Sequence, residues 1–143
     1  MALLPKKTSA GWKGAVVKLV IDAYAWIEYL NGSEKGRKVA EIVENDSNEI
    51  FTSSCTIAEV VSKSLRENKD AKIALAHINN LSNIISVTQE ISILTGQIHF
   101  EAKKKNKDFG MLDAFVAATA RLANAKILTG DKHFKNFKEA VLI

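Results

Sequence analysis

Short β-branched runs set between stretches of helical periodicity constrain this chain more than any other feature. Residues 16–21 (Val-Val-Lys-Leu-Val-Ile), 50–52, 84–87, 126–129 and 140–143 are brief, apolar and rich in Val and Ile, as buried strands are. Between them lie segments with helical spacing: from Asp22 to Leu30, then 34–45, 55–67, 70–81, 89–106 and 112–124. Asn31-Gly32-Ser33 breaks the first pair apart. In the third segment Ile57, Val60, Val61, Ser64 and Leu65 form the expected apolar stripe; in the fifth Ile91, Leu94, Thr95, Ile98 and Ala102 do. Hairpin signals are scarce. Strands that alternate with helices and read as continuous apolar runs predict an α/β fold: one central, mostly parallel sheet of four to five strands, flanked by helices on both faces.

The length of 143 residues suits one such domain and leaves no room for a second of similar size. The expected division is a domain over 16–143 and a basic N-terminal arm over 1–15, either disordered or foreign to the domain. A net charge of +4 permits a polyanionic partner without demanding one. The single cysteine, Cys55, excludes an intrachain disulfide and a cysteine-based zinc site. No apolar run approaches the roughly 18 residues of a membrane span, so a cytoplasmic protein without membrane contact is expected.

Four acids stand where a parallel α/β protein builds its sites. Asp22 ends the first strand, Asp131 closes Lys-Ile-Leu-Thr-Gly-Asp after a later one, and Glu59 and Asp113 open helices. Each has an ordinary explanation too. Asp22 and Asp131 are good N-caps. Asp113 in a first helical turn suits the helix dipole. Glu59 would complete a capping box with Thr56, and the stripe through Leu65 turns it away from the core. Their joint placement favours a second reading. Ligands of open parallel sheets bind beyond the carboxyl ends of the strands, at a topological switch point. Several carboxylates there repel one another unless a divalent cation lies among them, and hard oxygen donors point to Mg²⁺ or Mn²⁺.

At these residues the chain resembles the PIN-domain ribonucleases, of the kind found as VapC-type toxins. The likeness runs from about Val17 to the C-terminus. It is carried by Val-Ile-Asp-Ala-Tyr-Ala-Trp-Ile (20–27), Ile-Ala-Glu-Val-Val (57–61), Leu-Asp-Ala-Phe-Val-Ala-Ala-Thr-Ala (112–120) and Leu-Thr-Gly-Asp-Lys-His-Phe (128–134), in that order. All four family acids are kept; the segment before Val16 has no counterpart in the family. The resemblance implies a single PIN-like nuclease domain and a Mg²⁺- or Mn²⁺-dependent endoribonuclease. Asp22, Asp113 and Asp131 would be its metal ligands. Glu59 would hold a second metal or the attacking water, and Thr129 would support a carboxylate by a hydrogen bond. It also implies an RNA substrate, a homodimer and a small antitoxin partner.

Basic residues offer phosphate contacts in two places: Lys103, Lys104, Lys105 and Lys107 before the Asp113 motif, and Lys132 and Lys135 beside Asp131. A solvated helix end explains the first group equally well. His133 lies near the proposed site without being counted among its ligands; His77 reads as surface, and Tyr24, Trp26 and Tyr29 as core or dimer packing. Three other functions remain compatible: a non-catalytic RNA-binding or assembly module, an RNA-processing or quality-control nuclease without an antitoxin, and a metal-dependent phosphatase of another α/β class. Against the last, the first strand ends Asp-Ala-Tyr, without the second acid two residues on that a haloacid-dehalogenase-like phosphatase would carry.

Overall fold

A computed structural model describes residues 16–143, together with the backbone of two short strands, β1 (Lys7–Thr8) and β2 (Gly11–Trp12), which pair antiparallel. Apart from that pairing, the expected N-terminal arm lies outside the described residues. The domain proper runs β3 (Lys18–Ile21), α1 (Ala23–Asn31), α2 (Glu34–Val43), β4 (Glu49–Ser53), α3 (Ser54–Arg66), α4 (Ala71–Leu81), β5 (Asn83–Ile85), α5 (Gln89–Lys105), α6 (Met111–Leu122), β6 (Lys126–Thr129), a 3-10 turn over Lys132–Phe134, and β7 (Ala140–Leu142).

The five strands from β3 onward form one sheet in the order β5-β4-β3-β6-β7, every pair parallel. Period-two alternation divides the core between its faces. Leu19 and Ile21 of β3 join Trp26, Val39, Ile42, Val60 and Ile78 from α1 to α4 on one side. Val20 joins Ile91, Ile98 and the α6 alanines on the other. Ala114, Ala117, Ala118 and Ala120 are all buried, and their small side chains let α6 lie flat against the strands.

Two details tie α1 to its surroundings. Trp26 is fully buried and donates its indole N–H to Thr52 Oγ1 at 3.0 Å, so the ring is core with its one polar atom satisfied. Gly36 lets α2 cross α1 closely: a Cβ there would lie 2.0 Å from the Glu28 carbonyl oxygen.

The expected stripe on α3 is corrected. Thr56, Val60 and Ser64 are its buried residues, while Leu65 is 62% exposed. The stripe is therefore rotated by roughly one residue. The capping box is corrected as well. Ser53, not Thr56, is the N-cap, accepting from the Cys55 N–H at 3.3 Å, and Thr56 lies inside the helix. Glu59 thus has no capping partner, and it no longer points opposite the packed face.

Candidate active site

Strand order reverses between β3 and β6. From β3 the chain moves outward through β4 and β5, then returns to the other side of β3 as β6. The carboxyl ends of β3 and β6 therefore flank the crevice where an open parallel sheet binds its ligand. Asp22 leaves β3 there, and its backbone N–H extends the ladder to the Leu128 carbonyl at 3.2 Å. Asp131 follows β6 by two residues.

Asp22 is buried. Its Oδ1 accepts from the Ala25 N–H at 2.8 Å, the N-cap bond of α1, and its Oδ2 accepts from the Thr129 hydroxyl. Thr129 Oγ1 in turn accepts from the Asp131 N–H at 2.9 Å. One hydroxyl thus joins the two strand-end acids. Burial pushes the Asp22 carboxyl up to about 7; the hydrogen bonds from Thr129 and Ala25 oppose this, and the charges of Asp131 and Asp113 add to it.

Asp113 sits in the first turn of α6, where its Oδ2 accepts from the Gly110 N–H at 3.2 Å. Asp131 caps the 3-10 turn through the His133 N–H at 2.8 Å. That short turn brings the His133 ring back over its own cap. His133 Nδ1 lies 3.3 Å from both Asp113 Oδ2 and Asp131 Oδ1. A packed cluster holds the turn in place: Phe134 is fully buried edge-on to Phe109 and Phe137, which stack with centroids 5.1 Å apart.

Glu59 is half-buried. Burial raises its carboxyl above the usual range, and the negative charges of Asp113 and Asp131 raise it further. Asp113 is raised by burial and by Asp131, against the opposing hydrogen bond from Gly110. All four acids anticipated from the sequence thus share one electrostatic neighbourhood. Carboxylates that mutually resist ionisation favour a bound cation. The tightest set of prospective ligand atoms, among the described residues, comes from Asp113, Asp131 and His133, which offer one each within 4.8 Å of one another. An oxygen-dominated set of this kind fits a hard divalent ion. His133 is the residue that sequence reasoning left out of the ligand set. Its signal was the spacing Asp131-Lys132-His133, which a capped 3-10 turn folds onto itself.

The basic residues divide. Lys103 Nζ donates to the Lys107 carbonyl at 2.6 Å, and Lys104 pairs with Glu101 at 3.0 Å while covering the Phe100 ring. These two serve the end of α5. Lys105, Lys107, Lys132 and Lys135 are exposed.

Residues 19–140 match the family described as PIN domain. The chain belongs to the PIN domain family. That family is one of nucleases, so the carboxylate cluster of this PIN domain sits in a nuclease scaffold. Solved structures with the same fold include a toxin–antitoxin complex from Klebsiella pneumoniae, 22% identical with a TM-score of 0.68, covering 86% of this chain and 95% of that one. VapBC2 from Rickettsia felis, bound to a DNA fragment from its promoter, is 21% identical with a TM-score of 0.67, covering 89% and 98%. VapC20 from Mycobacterium tuberculosis, described as a sarcin-ricin loop cleaving toxin, is 15% identical with a TM-score of 0.67, covering 82% and 92%. Sequence comparison with curated proteins found no match. Among the described residues, no helix of this PIN domain is long and apolar enough to cross a membrane.

Proposed function

We propose that this PIN domain is a metal-dependent endoribonuclease that cuts RNA phosphodiester bonds, and that it acts as the toxin of a toxin–antitoxin pair. One observation carries the reading: Asp22, Glu59, Asp113 and Asp131 converge from four elements on the crevice beside β3 and β6, where the charges of Asp113 and Asp131 raise Asp22 and Glu59 and that of Asp131 raises Asp113. Such a cluster is costly for a protein that merely folds, and its natural complement is a divalent cation. The likeness to solved toxin–antitoxin complexes supports a small protein partner, and the net charge of +4 suits a polyanionic substrate. A homodimer and cytoplasmic action complete the proposal.

A bound Mg²⁺ or Mn²⁺ supplies an oriented water of lowered pKa and positive charge against the scissile phosphate. Asp113 and Asp131 would hold it, with Asp22 behind them and the His133 ring alongside. Thr129 keeps Asp22 and the Asp131 backbone in fixed relation. Glu59, half-buried and with its carboxyl raised by burial and by the charges of Asp113 and Asp131, would in its ionised form be a stronger base than a free glutamate and would take the proton of the attacking water.

The test is cleavage of single-stranded RNA with Mg²⁺ or Mn²⁺ present and after chelation. We expect cleavage that needs the ion and disappears in Asp22→Asn and Asp113→Asn. Binding of RNA that ignores both the ion and the substitutions, with no cleavage, would establish the non-catalytic module instead. An upstream gene for a small partner that silences cleavage would support the toxin assignment; cleavage without such a gene favours RNA processing.

A further inference from the structure

A groove of about 570 Å³ opens beside the carboxylate cluster, between the C-terminal half of α5 and the segment 133–139. Its volume lies within the roughly 300–1,000 Å³ of ordinary ligand sites. We propose that it is a nucleotide subsite, which takes the RNA residue next to the scissile phosphate; this rests on the ribonuclease reading above.

Three observations point to that occupant. The first is continuity. His133 lines the groove, and its Nδ1 touches Asp113 and Asp131. A strand crossing the metal-ligand cluster therefore enters the groove without a break.

The second is charge. The two acids of the groove are already paired, Glu101 with Lys104 at 3.0 Å and Glu139 with Arg121 at 3.2 Å. Lys105 and Lys138 also line it, on opposite sides, and both are exposed with no hydrogen bond or ion pair among the described residues. The local surplus is positive, beside a strongly acidic cluster. A polyanion held at a metal by one phosphate needs such cations for the next phosphates along.

The third is the floor. Phe137, partly exposed, lines it, backed by the buried Phe109 on which its ring stacks. Aromatic and apolar surface of this kind suits the flat face of an unpaired base, and single-stranded RNA presents its bases for such contact. Asn106 and Asn136 line the same groove with amide groups that suit a base edge.

The experiment uses a fluorescein-labelled 12-nucleotide single-stranded RNA of mixed sequence. Its binding is read by anisotropy in chelator, where the RNA stays intact, and its cleavage is read separately with Mn²⁺. Lys105→Glu/Lys138→Glu should weaken binding about tenfold at low salt, and should lower the slope of log affinity against log salt by about 1.4, since each phosphate contact on a single strand contributes about 0.7. Lys72→Glu, on α4 across the sheet, should change neither. RNA carrying 4-thiouridine beside the cleaved bond should crosslink to the 133–139 segment. If the double variant binds and cleaves as the unmodified protein does, the groove is not the subsite, and the nuclease reading stands. If the unmodified protein neither binds nor cleaves the RNA, the nuclease reading fails and this proposal with it.

Discussion

The hydroxyl of Thr129, at the end of β6, donates to the buried carboxylate of Asp22, at the end of β3, and accepts from the Asp131 backbone. These residues are distant in sequence, and the sheet register alone brings them together, with Ile21 opposite Leu128. Thr129→Val keeps the shape and removes both bonds. Asp22 should then resist ionisation more strongly, because the Thr129 bond is the largest influence holding its carboxyl down. Removing a group that orients a ligand typically costs about 10–100-fold in metal affinity or activity. We expect a loss of that size in kcat/KM on an RNA oligonucleotide, and substantial recovery in Thr129→Ser. A valine variant with unchanged kcat/KM would deny the threonine this orienting role.

Asp22 also sets a pH dependence. In the fold its carboxyl is raised to about 7, against 3.8 ordinarily. The folded state therefore holds the proton more tightly than the unfolded chain does. The associated stability is complete below about pH 3.8 and is lost as the pH climbs through about 7, a decline on the order of a few kcal/mol. In chelator, thermal unfolding of the unmodified protein should fall in midpoint between pH 5 and pH 8. Asp22→Asn, which keeps the shape but cannot ionise, should flatten that fall and melt higher than the unmodified protein at pH 8. An identical pH profile for the two proteins would show that Asp22 ionises without penalty.

Added metal should reverse this cost. An ion that binds only the folded state stabilises it by about 2.7 kcal/mol at a hundred times its Kd. Mn²⁺ should raise the melting midpoint at pH 8, and Asp113→Asn should remove most of the rise. A full rise in Asp113→Asn would place the ion elsewhere.

The periodic signals that revealed the fold are the ones local physics controls. β-branched runs and helical stripes reflect burial, so the strands and helices fell within a few residues of expectation, and the strand-end positions of Asp22 and Asp131 followed from them. What stayed hidden depended on register and on short turns. The orientation of α3 is one case: Leu65 completes an apolar stripe in the sequence yet is 62% exposed, and Thr56, which pairs with Glu59 as a capping box on paper, lies inside a helix that Ser53 caps. The approach of His133 to two carboxylates needs a 3-10 turn pinned by Phe134 under Phe109, a contact between distant segments that no local pattern encodes. The cluster of Lys103, Lys104, Lys105 and Lys107 looked uniform as sequence, yet only helix geometry shows that Lys105 alone among them lines the groove.

Glu59 separates metal holding from proton transfer. Among the described residues it is the one acid of the four without a hydrogen bond to its side chain, and its carboxyl is raised by burial and then by Asp113 and Asp131. Glu59→Gln removes the charge and keeps the volume. We expect cleavage to fall by about 10²–10⁴-fold, the usual span for a lost general base, while the Mn²⁺-induced rise in melting midpoint persists. Loss of both together would make Glu59 a ligand of the first importance.

Gly130, between Thr129 and Asp131, provides a steric test of the whole arrangement. A Cβ at this position would lie 2.1 Å from Tyr24 Cε1 and 2.6 Å from Cδ1. Its backbone φ is not left-handed, so the requirement is for space and not for glycine's conformational freedom. The Tyr24 ring lies across the turn that carries Asp131, tethered at its far end by Lys35 Nζ donating to the phenol oxygen at 3.1 Å. In Gly130→Ala either the ring must swing outward or the turn must shift, and a shift of the turn moves Thr129 and Asp131 relative to Asp22. We expect about a tenfold loss of cleavage, since displacements well under an ångström matter where ligands must converge. Tyr24→Ala should be mild alone, and the double variant should regain most of the lost activity, because contacting residues couple by about 0.5–3 kcal/mol. A double variant as impaired as Gly130→Ala would show that the alanine acts on the turn itself and not through the tyrosine ring.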